Sequence, residues 1–182
     1  MKDLLGLKNS LDEKLEKVLN DQIKVESHAS SVYLAMSSWC GSHGYDFSAD
    51  FFAKQAEEER SHMLKLFNYV NDRGGRAISP EIENIPIDFD SFRGLFEQTL
   101  EMEMHVTQLF NDMADKCIRL KDFVTFHFIQ WFLTEQIGEE YVARRILELF
   151  NIIGEEGTGR WEIDKRIPQV RYEGSFGNNI TK

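Results

Sequence analysis

Apolar residues recur every three or four positions through four long stretches of the chain, and nowhere do they take up the two-residue alternation of a half-buried strand. The first stretch spans about 10–39. It opens on "SLDEKLEKV", with Ser10 and Glu13 at the spacing of a capping box, and "CGSHGYD" breaks it. The second spans about 46–73 and stops at Gly74 and Gly75. Segment 74–90, "GGRAISPEIENIPIDFD", has no helical period and holds two of the three prolines. It is long for a link between adjacent antiparallel helices, which predicts a crossover. A third helix is expected over about 90–118 and, after the basic turn "RLK", a fourth over about 122–153. Beyond Gly154 a short fifth helix is expected over about 158–167, stopped by Pro168, with a loose tail over 168–182. The pattern predicts an all-α protein, a single domain over 1–182 whose four-helix bundle fills about 10–153. Each long helix would run about 40 Å.

Followed in alternating steps of three and four, each long helix carries an apolar stripe with a carboxylate near its middle. In the first helix Leu19 and Gln22 lead to Glu26, and Ala29, Tyr33 and Met36 follow. In the second, Phe52 and Ala56 lead to Glu59, then Met63 and Leu66, with His62 three residues after Glu59 on the same face. The third gives Phe96, Thr99, Glu103, Val106 and Phe110; the fourth gives Ile129, Phe132, Gln136, Glu139 and Ala143. The middles of bundled helices meet at one level whichever way the helices run. Glu26, Glu59, Glu103 and Glu139 are therefore expected to converge inside the bundle, with His62 and Gln136 beside them.

Unpaired carboxylates in an apolar core are costly, and their mutual repulsion adds to the cost. No Lys or Arg lies on the stripes at that level, whereas two divalent cations would balance four negative charges. Oxygen donors with one imidazole suit iron or manganese better than a structural zinc. The competing reading is a structural bundle, with the helix phase off by one residue and some of these glutamates in solvent. The net charge of −10 disfavours a nucleic-acid surface and suits metal ions or cationic partners. No run approaches the ~18 apolar residues of a transmembrane helix. The acids in "MKDLLGLKNSLDEKLEKV" do not suit a signal peptide. Cys40 and Cys117 lie far apart and suggest no disulfide framework, so a reduced, cytoplasmic protein is expected.

The segments "QIKVESHASSVYLAMSSWC", "AEEERSHM", "LEMEMHVT" and "FIQWFLTEQIGEEYVARRIL" together resemble the bacterial non-haem ferritins, over about 11–166. The resemblance implies a ferritin-like bundle with a long crossover and a short fifth helix. It also implies a hollow shell of 24 subunits, and ferroxidase chemistry in which Fe(II) is oxidised by O2 or hydrogen peroxide and stored as ferric mineral. Carried over, Glu26 and His62 would bind a first iron, Glu59 would bridge two, and Glu103 and Glu139 would hold the second with Gln136 beside it. Tyr33 matches a tyrosine that hydrogen-bonds a ligand. Gln136 and Glu139 stand where di-iron oxygenases would offer a second E-x-x-H, and no C-x-x-C pair occurs, which favours storage over an oxidase or peroxidase.

Further expectations come with the resemblance. Haem in the related bacterioferritins needs a methionine directly after the bridging glutamate; Arg60 stands there, so no haem is expected. Many of the non-haem ferritins hold a third iron toward the inner surface. Glu58, Glu135 and Glu139 match three of its ligands, but the fourth position is Gly138. Two strong iron sites and a weak or empty third are expected, and a glutamate at 138 would add a ligand. Asp122 matches an acid lining the family's three-fold pores. His28, His43, His105 and His127 fall off the metal stripe and are expected at the surface or in packing, as is Trp131 in packing.

Overall fold

Asp12, not Ser10, starts the first helix. Its carboxylate accepts from the Lys14 backbone N–H at 2.8 Å, while Ser10 is engaged by the Arg73 guanidinium, so the expected capping box does not form. The computed structural model describes residues 10–174. α1 spans Glu13–Ser42, α2 Asp46–Asp72, α3 Phe92–Leu120, α4 Phe123–Ile153 and α5 Gly159–Arg166, followed by a 3-10 turn at Ile167–Gln169. α1 runs three residues past the expected stop because Cys40 is core; the break comes at Gly44, whose φ of +80° ends the helix. Ser91 and Asp122 cap α3 and α4 by accepting from Gly94 N–H and Thr125 N–H, each at 2.9 Å.

α1 packs on α2 and α3 on α4, and α1 touches α3 more sparsely. The crossover 74–90 runs along α1. Asn20 holds its start by accepting from Ile78 N–H, and Trp39 Nε1 donates to Asp88 near its end. Those two anchors are about 30 Å apart along the helix, so the segment carries the chain from one end of the bundle to the other. This is a four-helix bundle with a long crossover and a short fifth helix.

The core is divided. One apolar cluster gathers Tyr33, Met36, Phe52, Phe96 and Ile146; the other gathers Leu19, Ile23, Leu66, Phe110 and Phe132. The carboxylate-bearing mid-helix positions lie along each helix between these two sets. Burial pushes the thiols of Cys40 and Cys117 up to about 12 and about 11, so both stay protonated core groups. At one end α5 is fastened by Asp164, a buried carboxylate that accepts from Ser48 N–H at 2.8 Å and Phe47 N–H at 3.3 Å. α2 has no cap of its own, so the fifth helix supplies one. Part of the expected loose tail is placed: just after the buried Ile167, Val170 packs on the first cluster. The rest, 175–182, lies outside the described residues.

Candidate metal centre

The helices turn the predicted residues inward together. Glu26, Glu59, His62, Glu103 and Gln136 are each 5% exposed or less, and Glu139 is half-buried. α2 turns His62 fully inward and leaves Met63 half-buried, a small rotation from the expected stripe. Glu26, Glu59 and His62 offer ligand atoms within 4.8 Å of one another, the only such group of His, Cys, Asp or Glu found among the described residues. His62 Nδ1 lies 3.4 Å from Glu59 Oε2.

Three of the four carboxylates are oriented by neutral donors, and Glu59 faces His62 instead. Gln22 Nε2 donates to Glu26 Oε1 at 2.9 Å, while Glu26 Oε2 is buried with no hydrogen-bond partner. The Tyr33 hydroxyl donates to Glu103 Oε1, and Gln136 Nε2 donates to Glu103 Oε2 at 3.0 Å and to the Glu103 carbonyl at 3.1 Å. Gln55 Nε2 donates to Glu139 Oε2 at 3.2 Å. Sequence reasoning missed Gln55. Its spacing from Glu59 repeats that of Gln22 from Glu26, which is the one signal the chain offers.

Among the described residues no Lys or Arg pairs with this group, and His62 is its one basic neighbour. Burial first, then the charge of Glu59, holds the Glu26 carboxyl well above the ordinary carboxylate range. Glu59 is raised by burial and then by Glu103; Glu139 by burial and then by Glu58 and Glu103. Burial also raises Glu103, against the lowering effect of its Tyr33 and Gln136 hydrogen bonds. Burial and Glu103 push the Tyr33 hydroxyl up, so it remains a donor. Crowded buried carboxyls whose charged forms are disfavoured, together with one imidazole and an orphaned buried oxygen, are the donor set of a metal centre.

Other predicted residues sit outside this layer. Glu58 is exposed and Glu135 half-buried; with Glu139, Gly138, Arg171 and Tyr172 they line a cleft of about 350 Å³ beside it. Trp131 packs edge to face on His62 at 5.3 Å between centroids, with Lys65 Nζ 3.3 Å from the centre of its own ring. The Asp122 carboxylate caps α4 and pairs with Arg73 at 3.2 Å, so its charge is already engaged within the chain. His43, His105 and His127 are exposed and His28 is half-buried.

A four-helix bundle whose helices each turn a mid-helix carboxylate toward one level, with one imidazole, defines a ferritin-like protein. The chain belongs to the ferritin family: the family model described as a Ferritin-like domain matches residues 16–153. It is 39% identical over 157 residues to a probable bacterial non-heme ferritin-like protein of Haemophilus influenzae, covering 86% of this chain and 95% of that one. It is 34% identical over 160 residues to a bacterial non-heme ferritin of Campylobacter jejuni, covering 88% and 96%. Its structure matches an open pore ferritin from Archaeoglobus fulgidus with a TM-score of 0.84 at 34% identity, covering 87% of this chain and 97% of that one.

Proposed function

We propose that the protein stores and detoxifies iron. It takes Fe(II) as substrate at the buried carboxylate centre, oxidises it and deposits ferric mineral inside a hollow shell of its own copies, 24 by analogy with the family. The observation that carries this reading is the buried Glu26–Glu59–His62 group, with no Lys or Arg paired to it among the described residues and with Glu26 Oε2 unpartnered. Glu26 and His62 hold one Fe(II), Glu59 bridges, and Glu103 and Glu139 hold the second with Gln136 alongside. Tyr33 positions Glu103 through its hydroxyl.

Two Fe(II) held by one bridge each give one electron, so O2 takes up two electrons and two protons and leaves as hydrogen peroxide. With hydrogen peroxide as oxidant the O–O bond breaks and two waters form. Solvent supplies the protons in either reaction. Carboxylate ligands exchange readily, and the second position, Gln136-x-x-Glu139, lacks an imidazole, so Fe(III) leaves rather than staying as a fixed cofactor.

Self-association is supported by apolar side chains left at the surface: Leu34 of α1, Leu64 of α2, and Ile78, Ile82 and Ile87 of the crossover. No described helix is long and apolar enough to cross a membrane. We place the shell in the cytoplasm. The test is aerobic loading of the purified protein with Fe(II), followed by size separation. Iron co-eluting with a large shell is expected; an iron-free monomer or dimer would overturn the reading.

A further inference from the structure

The seam between α1 and α3, looser than that of α1 on α2 or α3 on α4, holds a cleft of about 340 Å³. Its depth is graded. Asp21, Lys24 and His105 at the mouth are exposed; Val25, His28, Ala29, Met102 and Val106 form the walls; and Glu59 and Glu103 of the centre are reached at the bottom. Between mouth and carboxylates the walls are therefore apolar but for the half-buried His28.

Such a passage discriminates among the reactants. A hydrated Fe(II) ion moving along it would shed water with no oxygen ligand on the walls to replace it. At the mouth the charges of Lys24 and Asp21 offset each other, so it gives a dication no net attraction. His28 and His105 do not make a stepping site either, since neither belongs to a group of three or more ligands close enough to share an ion among the described residues. Dioxygen is small, neutral and apolar, and loses little on leaving water for such walls. We propose that this cleft is the dioxygen route to the centre, separate from the path taken by iron, with Val25 setting its width. The inference rests on the ferroxidase reading of the centre.

The cleft is tested first on the wild-type protein. Crystals pressurised with xenon, an apolar probe of similar size, are expected to show xenon between Val25 and Val106. Val25→Phe narrows the passage without touching a ligand, and Val25→Met does so more gently should the ring not pack. Both variants are expected to bind Fe(II) anaerobically as the wild type does. The O2 concentration for half-maximal oxidation should rise about tenfold for Phe and less for Met. Absence of xenon from the cleft, or an unchanged O2 dependence in a variant with normal Fe(II) binding, overturns the route. Failure of the ferroxidase reading looks different: the wild type would then oxidise Fe(II) slowly at every O2 concentration, whether or not xenon binds.

Discussion

The ring of Tyr172 lies over Gly138: a Cβ placed on Gly138 would stand 3.2 Å from Tyr172 Cδ1. The glycine in mid-helix α4 is thus where the C-terminal segment crosses the bundle, and Tyr141 flanks the same ring at 5.2 Å. This changes what a side chain at 138 can do. A glutamate there does not simply join Glu58, Glu135 and Glu139; it has to displace Tyr172 first. Anaerobic Fe(II) titration of the wild type is expected to show two tightly bound ions per subunit. Gly138→Glu alone should add little, and Gly138→Glu with Tyr172→Ala should add a third. Three tight ions in the single variant would show that Tyr172 offers no obstruction.

Tyr33→Phe deletes one hydroxyl from a fully buried site. Glu103 Oε1 loses its donor, which costs about 1–3 kcal/mol of stability. Gln136 still holds the other oxygen, so two Fe(II) should bind, but oxidation should slow because Glu103 is less firmly aimed. Calorimetry and single-turnover oxidation read the two effects separately. Wild-type values for both would mean that the hydroxyl does not position Glu103.

The carboxyls set the pH dependence of the metal-free protein. Glu26, Glu59 and Glu139 have folded pKa values well above the ordinary 4.5. From 4.5 up to those raised values the folded chain binds more protons than the unfolded one, so stability falls as pH rises through that window. A cation that replaces the protons removes the loss. Melting temperatures at about pH 5 and about pH 8, with and without Zn(II), should show a metal-induced gain that is larger at the higher pH. An equal gain at both would place the metal away from these carboxyls.

Asp164→Ala should release the fifth helix. The start of α2 loses its only side-chain acceptors, at a cost of about 0.5–2 kcal/mol. Amide exchange should rise at Phe47 and Ser48 and across α5, with the mid-bundle amides unchanged. Unchanged protection at Ser48 would contradict the borrowed cap.

What the sequence made legible was periodic. The 3.6-residue rhythm placed four helices and brought Glu26, Glu59, Glu103 and Gln136 to one buried level, because those positions depend only on each helix's own turn. The parts it hid depend on partners far away in the chain. Gln55 meets Glu139 across 84 residues, and Asp164 caps α2 across 116. Gly138 drew attention as a missing ligand, but the ring that fills its space comes from a stretch that carries no helical period. Ser10 and Glu13 show the reverse error: a valid local motif lost to Asp12 because Arg73, brought in by the fold, takes Ser10.

Stopped-flow oxidation of Fe(II) added in steps tests the paired-iron centre most directly, on the wild type and on Glu59→Gln, which keeps the bridge's size and removes its charge. The wild type should show a fast phase that grows linearly and stops growing at two Fe(II) per subunit. In Glu59→Gln that phase should fall at least about a hundredfold in a protein that folds as well or better. A fast phase that does not saturate at two, or one that survives in Glu59→Gln, would contradict the account.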